Sequence, residues 1–163
     1  VVSNITMNHV HHYPIYITTG CRNRGPKERT DVSYGGDVTI SNVIMHDVDS
    51  LAGIIVTGMP DYPLRNISLN NIRIYYRGGG RAELAKRHYR EQGTNYPEPK
   101  FAKETPAYGL FARHVDGLDV NHVTFHTMKT DYRPAVMLDD VKNASIIDLK
   151  APDVKGVKKI VGY

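Results

Sequence analysis

Asp139-Asp140 is the single pair of adjacent aspartates in the chain. Two carboxyls held together can divide acid and base work, one giving a proton and the other taking one. Successive residues on a strand point to opposite faces, so these two converge only at a corner. The competing reading is a corner cap or a surface pair, because Asp bonds readily to nearby backbone. Asp47 and Asp49 stand under the same objection. Among the histidines, His114 beside Arg113 is the one expected at a substrate groove. His11-His12 could ligate a metal, but no Cys or carboxylate lies at ligand spacing, so no metal is expected there; no cofactor is expected either. His9 and His122 fall at equivalent places in a repeat described below, which predicts a corner role.

The cations form two further groups. Arg22 and Arg24 lie in Cys21-Arg22-Asn23-Arg24-Gly25, at the start of a Gly-, Arg- and Lys-rich loop reaching about Gly36. They could pair with carboxylates through charge-assisted hydrogen bonds, or simply solvate a turn. Arg77, Arg81, Lys86, Arg87 and Arg90 lie close to Tyr89 and Tyr96. Cations beside aromatic rings suit an acidic sugar chain, charge meeting carboxylate and ring face meeting pyranose C–H. The plainer reading is a solvated helix covering one side of the coil stack.

Overall charge bounds the partners. The net charge of +4 suits an anionic partner without requiring one, and Lys and Arg form no long run. Nucleic acid is the natural guess for a basic chain but would want such a run, and an acidic polysaccharide fits the same charge. Cys21 is the sole cysteine, so no internal disulfide can form. No apolar run is long enough to span a bilayer, and no signal-peptide pattern opens the chain. Apolar residues at 40% and charged residues at 23% over 163 residues fit one ordinary folded domain, 1–163.

What must position these groups is a repeat. A seven-residue pattern starts at Asn4, Asp37, Asn66, Gly117 and Asn143. Its second, fourth and seventh positions are apolar, its third is Thr, Ser or Asp, and its sixth is His, Asn or Asp. The first four positions alternate as in a half-buried strand. The polar pair that follows suits a sharp corner, because Asn and Asp tolerate the left-handed conformation. In the last copy Ile147 replaces one polar member. Between copies lie short β-rich runs such as Gly53-Ile54-Ile55-Val56 and Gly109-Leu110-Phe111-Ala112. Three of the four spacings between copies fit a unit of roughly 25–30 residues, and repeats of that length are the signature of a solenoid. Val and Ile are as frequent as Leu, which favours strands over leucine-rich repeats. The expected fold is all-β, a right-handed parallel β-helix of about five to six coils stacked ~4.8 Å apart. Ile5, Val38, Ile67, Leu118 and Ala144 should form one interior column. Met7, Ile40, Leu69, Val120 and Ile146 should form the next.

Residues 77–106 depart from the repeat. Arg77-Gly78-Gly79-Gly80-Arg81 reads as a flexible turn. Ala82 to Gln92 holds good helix formers and a Glu83/Arg87 pair at i,i+4 spacing. Tyr96-Pro97-Glu98-Pro99 cannot continue a helix. A short helix on an insertion loop is predicted, leaving the stack and returning near Tyr108.

Taken together, several stretches resemble the C-terminal part of bacterial family 28 glycoside hydrolases, the polygalacturonase-like pectin hydrolases. They are Val38–Val43, Pro63–Ile74 with Tyr76-Arg77-Gly78-Gly79-Gly80, Tyr96-Pro97-Glu98-Pro99, Pro106-Ala107-Tyr108-Gly109, Arg113-His114-Val115, and Arg133-Pro134-Ala135 through Val141. The resemblance implies a parallel β-helix, hydrolysis of galacturonan or rhamnogalacturonan with inversion, and an extracellular or periplasmic setting. It also places the Arg22 and Arg24 loop near a sugar groove. Of the family's motifs Asn-Thr-Asp, Asp-Asp, Gly-His-Gly and Arg-Ile-Lys, only Asp-Asp occurs, and near the wrong end. The chain is therefore expected to supply substrate contacts through Arg22, Arg24, Arg81, Arg87, Arg90, Tyr96, Arg113 and His114, and to be inactive alone. A non-catalytic β-helix for carbohydrate binding or assembly is the alternative. A pectate-lyase-like enzyme would need a calcium-binding acidic cluster, which the sequence does not present. The repeat begins almost at Val1 with no cap ahead of it, so either upstream coils or self-association through the N-terminal coil is expected.

Overall fold

The structure, a computed structural model, describes residues 1–20, 25, 34–51, 53–91 and 104–162. Its elements in chain order are β1 (Val2–Asn8), β2 (Tyr16–Thr18), β3 (Gly36–Val48), β4 (Ile54–Thr57), β5 (Leu64–Gly78), β6 (Leu110–Lys129), β7 (Val136–Lys150) and β8 (Ile160–Gly162). Every pairing between these strands is parallel. One set of columns runs β1-β3-β5-β6-β7. A second runs β2-β4-β6-β7-β8, because β6 and β7 are long enough to serve both. The result is a nearly all-β molecule whose parallel sheet is curled in a β-helix-like manner.

The heptapeptide encodes the bends. Its first residue has positive φ in every copy: Asn4, Asp37, Asn66, Gly117 and Asn143. So does its sixth: His9, Asn42, Asn71, His122 and Asp148. These side chains tolerate the left-handed region better than most, and glycine adopts it freely. Two bends five residues apart turn a short strand and keep its apolar positions inward. Four copies stack as the repeat predicts. Val38, Ile67, Leu118 and Ala144 share one column, and Ile40, Leu69, Val120 and Ile146 share the next. Ile67, Leu69, Leu118 and Val120 are almost wholly buried, each contributing about 1.5–3 kcal/mol.

The first copy does not join those columns. Val2 stands on Ile40, Ile5 on Val43 and Met7 on Met45, so Ile5 and Met7 lie one bend further along than the repeat predicts. The cause is the five-residue spacing of the bends. Slipping by five places the first-position Asn4 on the sixth-position Asn42, and both are left-handed asparagines. Asn42 Nδ2 donates to Asn4 Oδ1 at 3.1 Å, and Asn71 Nδ2 donates to Asn42 Oδ1 at 2.8 Å. A short amide ladder therefore runs along this bend.

Residues after β5 differ from expectation in two ways. The predicted helix is a single 3-10 segment, Ala82–Lys86, whose flanking Arg81 makes no side-chain cap. Isolated helices this short are marginal in water. Arg87 does not form the expected pair with Glu83; its guanidinium reaches Glu104 at 2.7 Å. Tyr89 then leaves the turn to pack against Phe111, with ring centroids 5.0 Å apart. Tertiary contacts thus draw the chain out after one turn. The Gly78–Gly80 stretch, expected to be a flexible turn, is a fixed one. A Cβ on Gly80 would meet Arg133 Nε at 2.3 Å and Asp131 Oδ1 at 2.6 Å.

Arg133 and Asp131 form a buried clasp, each 1% exposed. Arg133 Nε and Nη2 donate to the Asp131 carboxylate at 2.9 and 2.8 Å. Nη1 donates to the carbonyls of Leu51 and Thr105 at 3.0 and 3.1 Å, and Nη2 also reaches the Ser50 carbonyl. Gly80 N–H donates to Asp131 at 2.9 Å. Four stretches distant in sequence are tied at this point. A second apolar cluster lies outside the main core, where Ile55, Phe111 and Met137 are covered by Tyr89 and Ala107. Tyr89, from the segment after Gly80, thus covers part of one outer side of the sheet.

Candidate functional site

The N-terminal third of β6 and the start of β7 bring together the residues with most chemical potential. Arg113 and Asp139 are register partners in adjacent strands. His114 and Asp140 follow them, and both have positive φ, 50° in each case. The two aspartates thus stand at a corner, the arrangement in which neighbours on one strand can approach a common site. His114 is buried, with Nδ1 2.7 Å from Asp140 Oδ2 and Nε2 3.2 Å from Glu91 Oε1. Donating to both carboxylates at once requires a proton on each ring nitrogen. Arg113 donates through Nη1 to the Tyr89 carbonyl at 2.9 Å and through Nη2 to Glu91. Its Nε lies 3.0 Å from Asp139 Oδ2, an ion pair without hydrogen-bond geometry.

Charge decides what these carboxyls can do. The hydrogen bond from His114 pulls the Asp140 carboxyl below its ordinary pKa; desolvation opposes it, and the smaller effects of the charges of His114, Lys142 and Arg113 add to the lowering. Asp140 is held ionised, so it can accept a proton or pair with a cation. It is badly suited to the general acid of glycoside hydrolysis, which must carry a proton at working pH.

Beside this cluster is a cleft of about 300 Å³ beneath the segment that follows Gly80. Phe111 and Met137 line it together with Lys86, Arg87, His88 and Arg113, and Asp139 lies at the same wall. It therefore combines apolar contacts with a cationic margin. Of the residues predicted to touch substrate, Arg87 and Arg113 line the cleft and His114 is adjacent. Arg81 and Arg90 are exposed and not among the cleft residues. Arg22, Arg24 and Tyr96 lie outside the described residues. Sequence reasoning missed Glu91, the carboxylate shared by Arg113 and His114. Its signal was weak, an acid two residues after a buried tyrosine in an otherwise basic segment.

A second constellation gathers where β1 meets β3 and β5. Arg77 donates to Asp47 through Nε and Nη2 at 2.6 and 2.9 Å, and to Asp49 through Nη1 at 2.9 Å. His9 Nδ1 lies 2.5 Å from Asp47 Oδ2. Hydrogen bonds from Arg77 first, then His9, hold the Asp47 carboxyl well below the usual range. Both aspartates are committed to a bidentate cation, so this is a structural junction. His9 and His122 do occupy bends, in different columns. On the outer face His46, Tyr75 and His126 stack as three parallel rings, with centroids 4.6 and 4.5 Å apart. Among the described residues, no group of three metal-ligating side chains is assembled.

Comparison with protein-family models, with curated proteins and with solved structures gives no match.

Proposed function

We propose that the chain is a right-handed parallel β-helix of about five to six coils, part of a polygalacturonase-like glycoside hydrolase acting on pectin-type acidic polysaccharide outside the cytoplasm. Its role in this reading is to contact substrate. The observation that carries it is the cleft lined by Phe111, Met137, Lys86, Arg87 and Arg113. Pyranose C–H surfaces fit its apolar side, and uronate carboxylates fit its cations. The ionised state of Asp140 and the ion pair of Asp139 with Arg113 support a contact role over a hydrolytic one.

The test uses the whole chain with polygalacturonate, following both binding and new reducing ends. Expected are binding that weakens severalfold between low and physiological salt, because exposed charges are screened, and no turnover above a heat-killed control. The K86A/R87A double variant should bind more weakly still. Salt-independent binding, or none, would overturn the contact role; turnover would overturn the assignment of no catalytic carboxyl.

A second reading, a non-catalytic β-helix for carbohydrate binding or assembly, is favoured by one feature. Arg87 and Arg113 are already paired with Glu104, Glu91 and Asp139, which lowers the net attraction for a polyanion. Equal affinity for neutral and acidic glycans would favour this reading.

A further inference from the structure

Glu91 lies outside every strand, yet two nearly buried side chains of β6 converge on it. One carboxylate oxygen, Oε1, accepts from Arg113 Nη2 and lies 3.2 Å from His114 Nε2. Burial is unequal across this contact. The Arg113 and His114 side chains are 11% and 9% exposed, whereas that of Glu91 is 42% exposed. Two set donors thus hold a carboxylate that reaches them from the solvent side.

The donors are positioned without Glu91. Arg113 Nε lies 3.0 Å from Asp139 Oδ2, and His114 Nδ1 lies 2.7 Å from Asp140 Oδ2. Both aspartates belong to β7, whose register with β6 fixes them. Withdrawing Glu91 would leave Arg113 Nη2 and His114 Nε2 turned toward the place its carboxylate held. An unpaired buried donor costs about 1–3 kcal/mol, so that place favours an acceptor, and an ionised one most. Replacing Glu91 by another carboxylate leaves the charge of the cluster unchanged. Asp139 and Asp140 therefore count no more against the newcomer than against Glu91. Arg113 and Asp139 also line the cleft floored by Phe111 and Met137, so a ligand in that cleft lies beside these donors.

We infer that Arg113 and His114 form a carboxylate-binding site that the chain fills with its own Glu91, and that a ligand carboxylate binds there by displacing the Glu91 side chain. Tyr89 still holds the backbone of the segment on Phe111. Glu91 is then a tethered competitor acting at an effective concentration on the order of millimolar. The site stands on this geometry, and its assignment to a uronate carboxylate rests on the contact role proposed above.

The test titrates sodium acetate into the full chain and into its E91A variant at constant ionic strength, following the NMR signals of the Arg113 Nε–H and the His114 ring. Both should shift in E91A, with a midpoint at least ~fivefold lower in acetate than in the parent, because the tethered competitor is gone. E91Q keeps the shape and removes the charge, so it should fall between the two, and it serves should E91A fail to fold. D-galacturonate should behave as acetate does, and its methyl ester should not. Acetate that moves these signals equally in parent and variants, or in none of them, would overturn the site; so would a methyl ester that binds as well as the acid. Acetate binding without galacturonate binding would keep the site and overturn its uronate assignment. Polygalacturonate binding by the parent with no gain in E91A would overturn the displacement and leave the contact role standing.

Discussion

The ladder of bends and the clasp at Arg133 hold the same molecule together by different physics. Along β3, β5, β6 and β7 each rung repeats its neighbour, so stability is a sum of similar increments. Val38, Ile67, Leu118 and Ala144 stand in one column, with Ile67 and Leu118 wholly buried in its middle and Ala144 exposed at its end. Around Gly80, Leu51, Thr105 and Asp131 nothing repeats, and one buried guanidinium satisfies several unrelated stretches. Distributed contacts tolerate a weak copy, as the degenerate Ile147 copy indicates. A single clasp tolerates little, because removing either charge strands the other without solvent. The cleft and the Arg113–His114 cluster sit between the two regimes. β6 and β7 supply their floor, and the clasped segment supplies Lys86, Arg87, Tyr89 and Glu91.

The sharpest way to break this contrast is to put a charge in a column. Leu69 is fully buried on β5, and Leu69→Asp should cost more than ~4 kcal/mol and abolish the cooperative thermal transition. Next is the clasp. Arg133→Met leaves Asp131 buried without its cation and should cost about 3–5 kcal/mol. Hydrogen exchange should show the loss concentrated at residues 80–91 and 104–109, with the β5 and β6 columns still protected. An even loss across the chain would mean that the clasp belongs to the ladder after all. Smaller again is Asn71→Ala, which removes an amide from the ladder and leaves a poorer residue at φ 50°; ~1–2 kcal/mol is expected by denaturant titration. Asn71→Gly should recover part of it, because glycine restores the conformation but not the hydrogen bond.

The smallest effect concerns pH. Asp140 has a depressed folded-state pKa, so its contribution is fully present above the ordinary carboxylate value of about 3.9. It is lost as pH falls through the depressed value. Its side chain is half exposed, which keeps the contribution small. Asp140→Asn should therefore flatten the fall in melting temperature below the ordinary carboxylate value, relative to the parent, and change little at neutral pH.

Much of the ladder could be read from residue types. Asn, Asp, His and Gly recur at the two heptapeptide positions that need left-handed backbone, and Ile, Leu and Val alternate between them. The same economy misled at the first copy, where Asn4 fits either bend and only pairing with β3 decides. The clasp was hardly legible. Gly80 looks like any loop glycine until Arg133 arrives from 53 positions away. The site was half legible. Arg113, His114 and the two aspartates are conspicuous as types, but their convergence depends on register between β6 and β7. Glu91 enters only because Tyr89 anchors its segment on Phe111. Local pattern determines bends; long-range burial determines who meets.

Hydrogen exchange of the full chain, with and without polygalacturonate, tests the central claim most directly. Binding at the cleft predicts added protection at residues 85–91 and 111–114, with the β3 and β5 columns unchanged. Protection confined to other surfaces, or none at saturating polysaccharide, would contradict it.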